Sequence, residues 1–237
     1  MVDKMKNTVG IHQPNFAPWL GYFYKIYESD VFIFLDDVQV QKKGASYSNR
    51  VTILGNGTTQ YLTVPILKGE GYTNLNEATF FKGNWNIKAI KTIQANYGKA
   101  NFFKRNFPFV EELFMFKTDY IAEFNINFIT EICKKLDINV TFKRSSEFSV
   151  EKTSTDRLIA LINSVDCDVY ISGKGGDNYQ EHAKFEDANI DLVYSELPVF
   201  DYAQFNNEQF VKGLSILDAI FNVGYEELKE KLFHKKY

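Results

Sequence analysis

Cysteine is nearly absent: Cys133 and Cys167 are the two in 237 residues. They stand alone, with no CxxC and no histidine at ligand spacing. That excludes a disulfide framework and a cysteine-based zinc site, and it points to a reducing cytoplasm. Glycine (14) and proline (5) together make about 8% of the chain, against an ordinary value of roughly 12%, so the sequence is neither collagen-like nor low-complexity. A charge excess is missing too. With 27 Lys plus Arg against 30 Asp plus Glu, the net charge of -3 argues against a nucleic-acid or anionic-membrane surface. No window approaches 18 uncharged apolar residues, so no transmembrane segment is expected; the strongest run, VFIFL at 31–35, has strand length. The opening MVDKMKNTVGIHQP has charges but no apolar stretch behind them, unlike a secretory signal. A soluble, cytoplasmic protein is the expectation.

What is present is apolar and aromatic. Hydrophobic residues make up 45% and charged residues 24%, enough buried surface to offset chain entropy. Aromatics reach 16%, with 22 Phe, 14 Tyr and 2 Trp. One α/β domain over residues 1–237 is expected, with a helical insertion at about 85–140.

The pattern along the chain supports that class. TVGI at 8–11 reads as a strand, HQPNFAP at 12–18 as a proline-bounded loop, and WLGYFYKIYES at 19–29 as a short helix. VFIFL then has the continuous apolar character of a buried parallel strand, which completes a βαβ unit. Residues 51–54 and 60–67, separated by GNGTT, predict a β-hairpin. From Trp85 to Leu136 the reading is helical, with a stop at Gly98 and a fresh start after Pro108. Residues 141–148 are ambiguous. The stretch 153–166 opens with Ser and Thr suited to an N-cap, CDVYIS and DLVYSE read as strands, and residues 178–188 and the two closing segments as helices. The expected fold is a Rossmann-like, mostly parallel sheet flanked by helices.

Three polar clusters follow or flank strands, where open α/β sheets bind ligands. The first is His12, Gln13, Pro14 and Asn15. A histidine there can serve as a general base, although it can equally pin its own loop. The second is Asp36, Asp37 and Gln39, followed by Lys42, Lys43, Asn49 and Arg50. Paired carboxylates can hold Mg²⁺ beside a nucleotide or work as acid and base, and the cations suit an anionic substrate; capping a turn is the plainer role for the aspartates. The third is Ser172, Gly173, Lys174, Gly175, Gly176 and Tyr179, a glycine-rich turn able to offer backbone N–H groups to an anion, or simply a tight turn. It is neither a Walker A nor a GxGxxG sequence, and no GxSxG elbow or HExxH helix is present. Phe16, Trp19, Tyr22 and Tyr179 flank these loops and are candidates to stack on a sugar or base; the other aromatics read as core.

The run IHQPNFAPWLGYFYKI, then DVFIFLDDVQ, the Asn49-Arg50 pair, LTVP, STDRLIAL, DVYISGKGGDNY, FEDANI, YAQF and LSILDAIFNVG resembles the WbqC-like family of bacterial proteins over about residues 8–224. Val51 departs from the polar residue expected after Asn-Arg. The resemblance implies a role in O-antigen and related surface-polysaccharide biosynthesis, as a transferase moving an acyl or aminoacyl group, glycine among them, to a sugar. His12, Asp36 and Asp37 would then be catalytic. Gln13, Asn15, Trp19, Tyr22, Gln39, Asn49, Arg50, Ser172, Gly173, Lys174, Gly175, Gly176 and Tyr179 would bind a nucleotide-sugar or activated acyl substrate. A fainter architectural similarity is to the HIGH-motif nucleotidyltransferases, but Trp19-Leu20-Gly21-Tyr22 lacks both histidines that steady phosphate charge there. An ATP-dependent ligase adenylating a small acid and a non-catalytic sugar-nucleotide-binding protein are the alternatives.

Overall fold

A computed structural model describes residues 6–40, 46–67, 73–175 and 180–234. Five strands form one sheet: β1 (Thr8–His12), β2 (Val31–Phe34), β7 (Thr141–Arg144), β8 (Val169–Gly173) and β9 (Asp191–Ser195). All neighbours are parallel and the spatial order is β7-β2-β1-β8-β9. Counted along the chain within this sheet, the order is 3-2-1-4-5, the doubly wound arrangement of dinucleotide-binding folds. Parallel strands need crossovers. Helix α1 (Leu20–Tyr27) links β1 to β2 on one face; α5 (Ser154–Asn163) and α6 (His182–Asp187) cover the other. The expected α/β class and its separate hairpin are both present.

The chain between β2 and β7 supplies most of the remaining elements on the α1 face. β3 (Arg50–Gly55) and β4 (Thr58–Thr63) form the hairpin, and β5 (Ile66–Leu67) pairs with β6 (Thr79–Phe80). Helices α2 (Trp85–Tyr97), α3 (Phe103–Phe114) and α4 (Ile121–Lys135) follow, and α7 (Ile216–Asn222) and α8 (Tyr225–Leu232) close against them. The aromatic excess packs this side. Phe16, Phe80, Trp85, Phe114, Phe124 and Phe128 form a chain of ring contacts with centroids 4.3–6.5 Å apart. Phe16 is therefore core and not a stacking residue. The opposite face carries a smaller cluster around Val9, Ile11, Ile33, Leu161, Ile162, Tyr170 and Phe185.

Several element boundaries differ from the sequence reading for identifiable reasons. β1 runs one residue further, so His12 stands at a strand end, paired in register with Phe34. α3 starts at Phe103, five residues before Pro108, which lies inside the helix. Packing of Phe103 on Phe107 and Phe221, with Asn106 donating to the Ile220 carbonyl at 2.8 Å, holds the turn that the proline alone would discourage. The second half of the predicted hairpin divides at Pro65, beyond which β5 turns to β6. Residues 141–144 are the edge strand β7, followed by a 3-10 turn over Ser145–Glu147. Thr153 makes no side-chain cap on α5; the buried Thr155 instead accepts the Glu181 N–H at 3.1 Å. Both cysteines are free and buried.

Candidate functional site

The site is set by where two strands part. β1 pairs with β2 through His12, and β8 pairs with β9 through Gly173, but β1 and β8 pair only as far as Gly10 and Ile171. This is the point where the strand order reverses, and a crevice there is the usual ligand site of such sheets. A cavity of about 460 Å³ opens at it. Its lining includes His12 from β1, Trp19, Gly21, Tyr22 and Lys25 from α1 and its start, and Gly173, Lys174 and Gly175 after β8. Ser195, Glu196 and Leu197 close the β9 side.

His12 projects toward α1, on the same side of the sheet as Gly10 by strand alternation. Its ring meets Tyr22 edge-on at 5.0 Å between centroids. The Nδ1 atom lies 3.0 Å from the Gln13 carbonyl, which can only accept, so Nδ1 carries the proton. Tyr22 donates its hydroxyl to the same carbonyl at 2.9 Å. Burial, reinforced by the nearby Lys25 charge, lowers His12 to about 4. The imidazole is thus neutral at ordinary pH, its Nε2 lone pair has no hydrogen-bond partner among the described residues, and the ring borders the crevice.

Like Ser195, Glu196 and Leu197, Lys25 is a lining residue that the sequence reading missed. It is 4% exposed and reaches back along α1 to donate to the Ile11 carbonyl at 2.7 Å, where the β1–β8 ladder has already ended. Burial lowers the ammonium to about 7. A signal was available: Gly21, Tyr22 and Lys25 fall at i, i+1 and i+4, on one side of the short helix. Gly21 also has a role in the cavity wall. A Cβ there would meet the Trp19 ring at 2.3 Å, so the indole folds over the glycine and stays 46% exposed at the cavity edge.

The loop after β1 is braced from three sides. Asn125 donates to the Pro14 and Ser48 carbonyls, Phe16 N–H to Tyr47, and Ser215 Oγ to Ala17 at 2.7 Å. Asn15 is buried in this loop and Gln13 half-buried; neither lines the crevice.

Most of the remaining candidates lie elsewhere. Asp36 is 1% exposed and accepts from Ser145 Oγ (3.2 Å) and from Ser146 N (3.0 Å) and Oγ (2.8 Å). Asp37 accepts from Ser145 Oγ and from Arg157 Nη2 at 2.6 Å. The pair ties the end of β2 to the turn after β7 and to α5, with β1 between it and the β1–β8 crevice. With three of their four oxygens so engaged, the two carboxylates fit a metal poorly. Among the described residues no group of three or more His, Cys, Asp or Glu is placed to hold one. Gln39 is exposed and bridges Asn74. Asn49 donates to the Val64 carbonyl, and Arg50 stacks on Tyr61 at 4.4 Å in the hairpin, where Val51 faces the core. Ser172 is buried within β8, its hydroxyl accepting from Gln180 at 2.9 Å. Lys174 pairs with Glu196 at 2.8 Å on the rim. Lys42, Lys43, Gly176 and Tyr179 lie outside the described residues. No helix among the described residues is long and apolar enough to cross a membrane.

Fold and cavity together define a doubly wound α/β protein with a switch-point crevice. The chain belongs to the WbqC-like protein family, whose model matches residues 13–230. It is similar to the uncharacterized protein Rv1507c of Mycobacterium tuberculosis, at 27% identity over 225 residues that span 92% of this chain and 94% of that one. No solved structure matches it.

Proposed function

We propose that this protein is an acyl or aminoacyl transferase that modifies a sugar in surface-polysaccharide biosynthesis, with glycine as a candidate group. The observation that carries the reading is His12: a neutral imidazole, its tautomer fixed by Gln13, at the edge of the switch-point crevice. In the reaction, an amine or hydroxyl of the acceptor attacks the carbonyl carbon of an activated acyl donor. His12 Nε2 takes the attacking group's proton, and the donor's leaving group departs with its bonding electron pair. Trp19 offers ring surface to a sugar or base, while Tyr22, 3% exposed, serves as crevice wall, and Gly173 and Gly175 let a ligand approach the backbone, since a Cβ at either would meet nothing within 4 Å.

The test is acyl transfer from a panel of activated donors to nucleotide-linked amino sugars, read as product mass. His12→Ala lowers turnover by roughly 10²- to 10⁴-fold, the usual worth of a positioned base. Unchanged turnover in that variant would remove the assignment.

A second reading is favoured by the 3-2-1-4-5 strand order with a glycine turn after β8, an arrangement suited to a nucleotide. In it the protein adenylates a small acid with ATP and Mg²⁺. Pyrophosphate release across a set of amino acids, with and without Mg²⁺, separates the two.

A further inference from the structure

The crevice holds a buried cation with no anion bonded to it. Lys25 Nζ has three donors, and one goes to the Ile11 carbonyl. The face of the Tyr170 ring lies 5.7 Å away. Among the described residues no carboxylate forms an ion pair with Lys25. The charged and titratable groups around it are accounted for from each element. β1 contributes the neutral His12; α1 itself carries Tyr22 and Glu28, which accepts from Ser195 Oγ and whose charge favours the Lys25 ammonium without forming a salt bridge to it, so that burial outweighs it. β8 contributes Tyr170, while Lys174 and Glu196 pair with each other at the rim. Charges this deep are ordinarily paired, because desolvation is otherwise uncompensated. The opening beside Lys25 is walled by Gly173 and Gly175, where added Cβ atoms would project into empty space.

We propose that the switch-point crevice is an oxyanion-binding site in which Lys25 is the counter-ion for a phosphate or carboxylate group of the ligand. The inference rests on this crevice being the functional site, and it holds for transferase and ligase chemistry alike. It also moves the anion-binding cation away from Arg50, which is committed to Tyr61 in the hairpin. An anion seated beside Lys25 reverses the effect of burial and raises its affinity for the proton, so the oxyanion and the proton bind together.

The test is a pH titration of the lysine side-chain resonances in the full chain labelled with ¹⁵N and ¹³C, with inorganic phosphate, diphosphate or acetate added. In the free protein Lys25 titrates at about 7, below the usual lysine value. Phosphate and diphosphate, or acetate if the ligand group is a carboxylate, shift its midpoint upward by a unit or more with saturation, and Lys25→Met abolishes saturable binding. An unresponsive Lys25 with all three anions overturns the proposal, as does saturable binding that survives Lys25→Met and is lost in Arg50→Gln. The amide spectrum of Lys25→Met establishes that the variant is folded. Anion binding at Lys25 without acyl transfer spares this inference and removes the transferase reading; transfer that depends on His12 with an unresponsive Lys25 does the reverse.

Discussion

At the scale of single residues, the crevice is assembled from side chains whose ordinary solution chemistry is altered by burial. Lys25 gives the sharpest consequence. Its folded value is about 7 against 10.5 when exposed, so between those values the unfolded chain holds a proton that the folded chain does not. Stability therefore rises with pH across that window, and below it the buried charge is a standing cost. Each unit corresponds to about 1.4 kcal/mol, while freeing the Ile11 carbonyl costs roughly 1–3 kcal/mol. Lys25→Met should gain on the order of 2 kcal/mol at pH 6 and lose stability near pH 10.5, as read by denaturant melts. A difference that does not change with pH would contradict the buried-cation reading. Lys25 escaped the sequence analysis because a lysine on a short helix resembles any solvated one, and its spacing from Gly21 and Tyr22 gains meaning where β1 parts from β8. His12 was legible, because a strand end followed by a proline-bounded loop is a recognisable ligand position.

At the scale of elements, legibility followed local chemistry. The hairpin was readable from Asn56-Gly57, which adopt positive φ of 50° and 76°, as a two-residue turn requires. A Cβ on Gly57 would be strained in φ and 3.1 Å from the Asn206 carbonyl. Gly57→Ala should destabilise by about 1 kcal/mol or more, seen as a lower denaturation midpoint with an unchanged m-value. No loss of stability would show that the turn is not held in this form. The start of α3 was not readable, since tertiary contacts of Phe103 and Asn106 carry the helix through Pro108. Asp36 and Asp37 show the same limit. Adjacent acids after a strand are compatible with catalysis or with bracing, and only the donors from Ser145, Ser146 and Arg157, more than 100 residues away in sequence, reveal how their oxygens are used.

At the scale of the whole molecule, alternating buried strands and helices made the parallel sheet foreseeable, but not its strand order. That order decides the site. It places the ends of β1 and β8 around one crevice, with the end of β2 beyond β1 and the hairpin in a separate sheet. The three polar clusters of the sequence thus become one shared cavity, one carboxylate brace and one hairpin position. The central claim, that function resides at the β1–β8 switch point, is tested most directly by electron density from crystals soaked with nucleotides, nucleotide sugars and small acids. Density among His12, Lys25 and Gly173–Gly175 is the predicted result. Ligand seated instead at the hairpin beside Arg50, with the crevice empty, would contradict it.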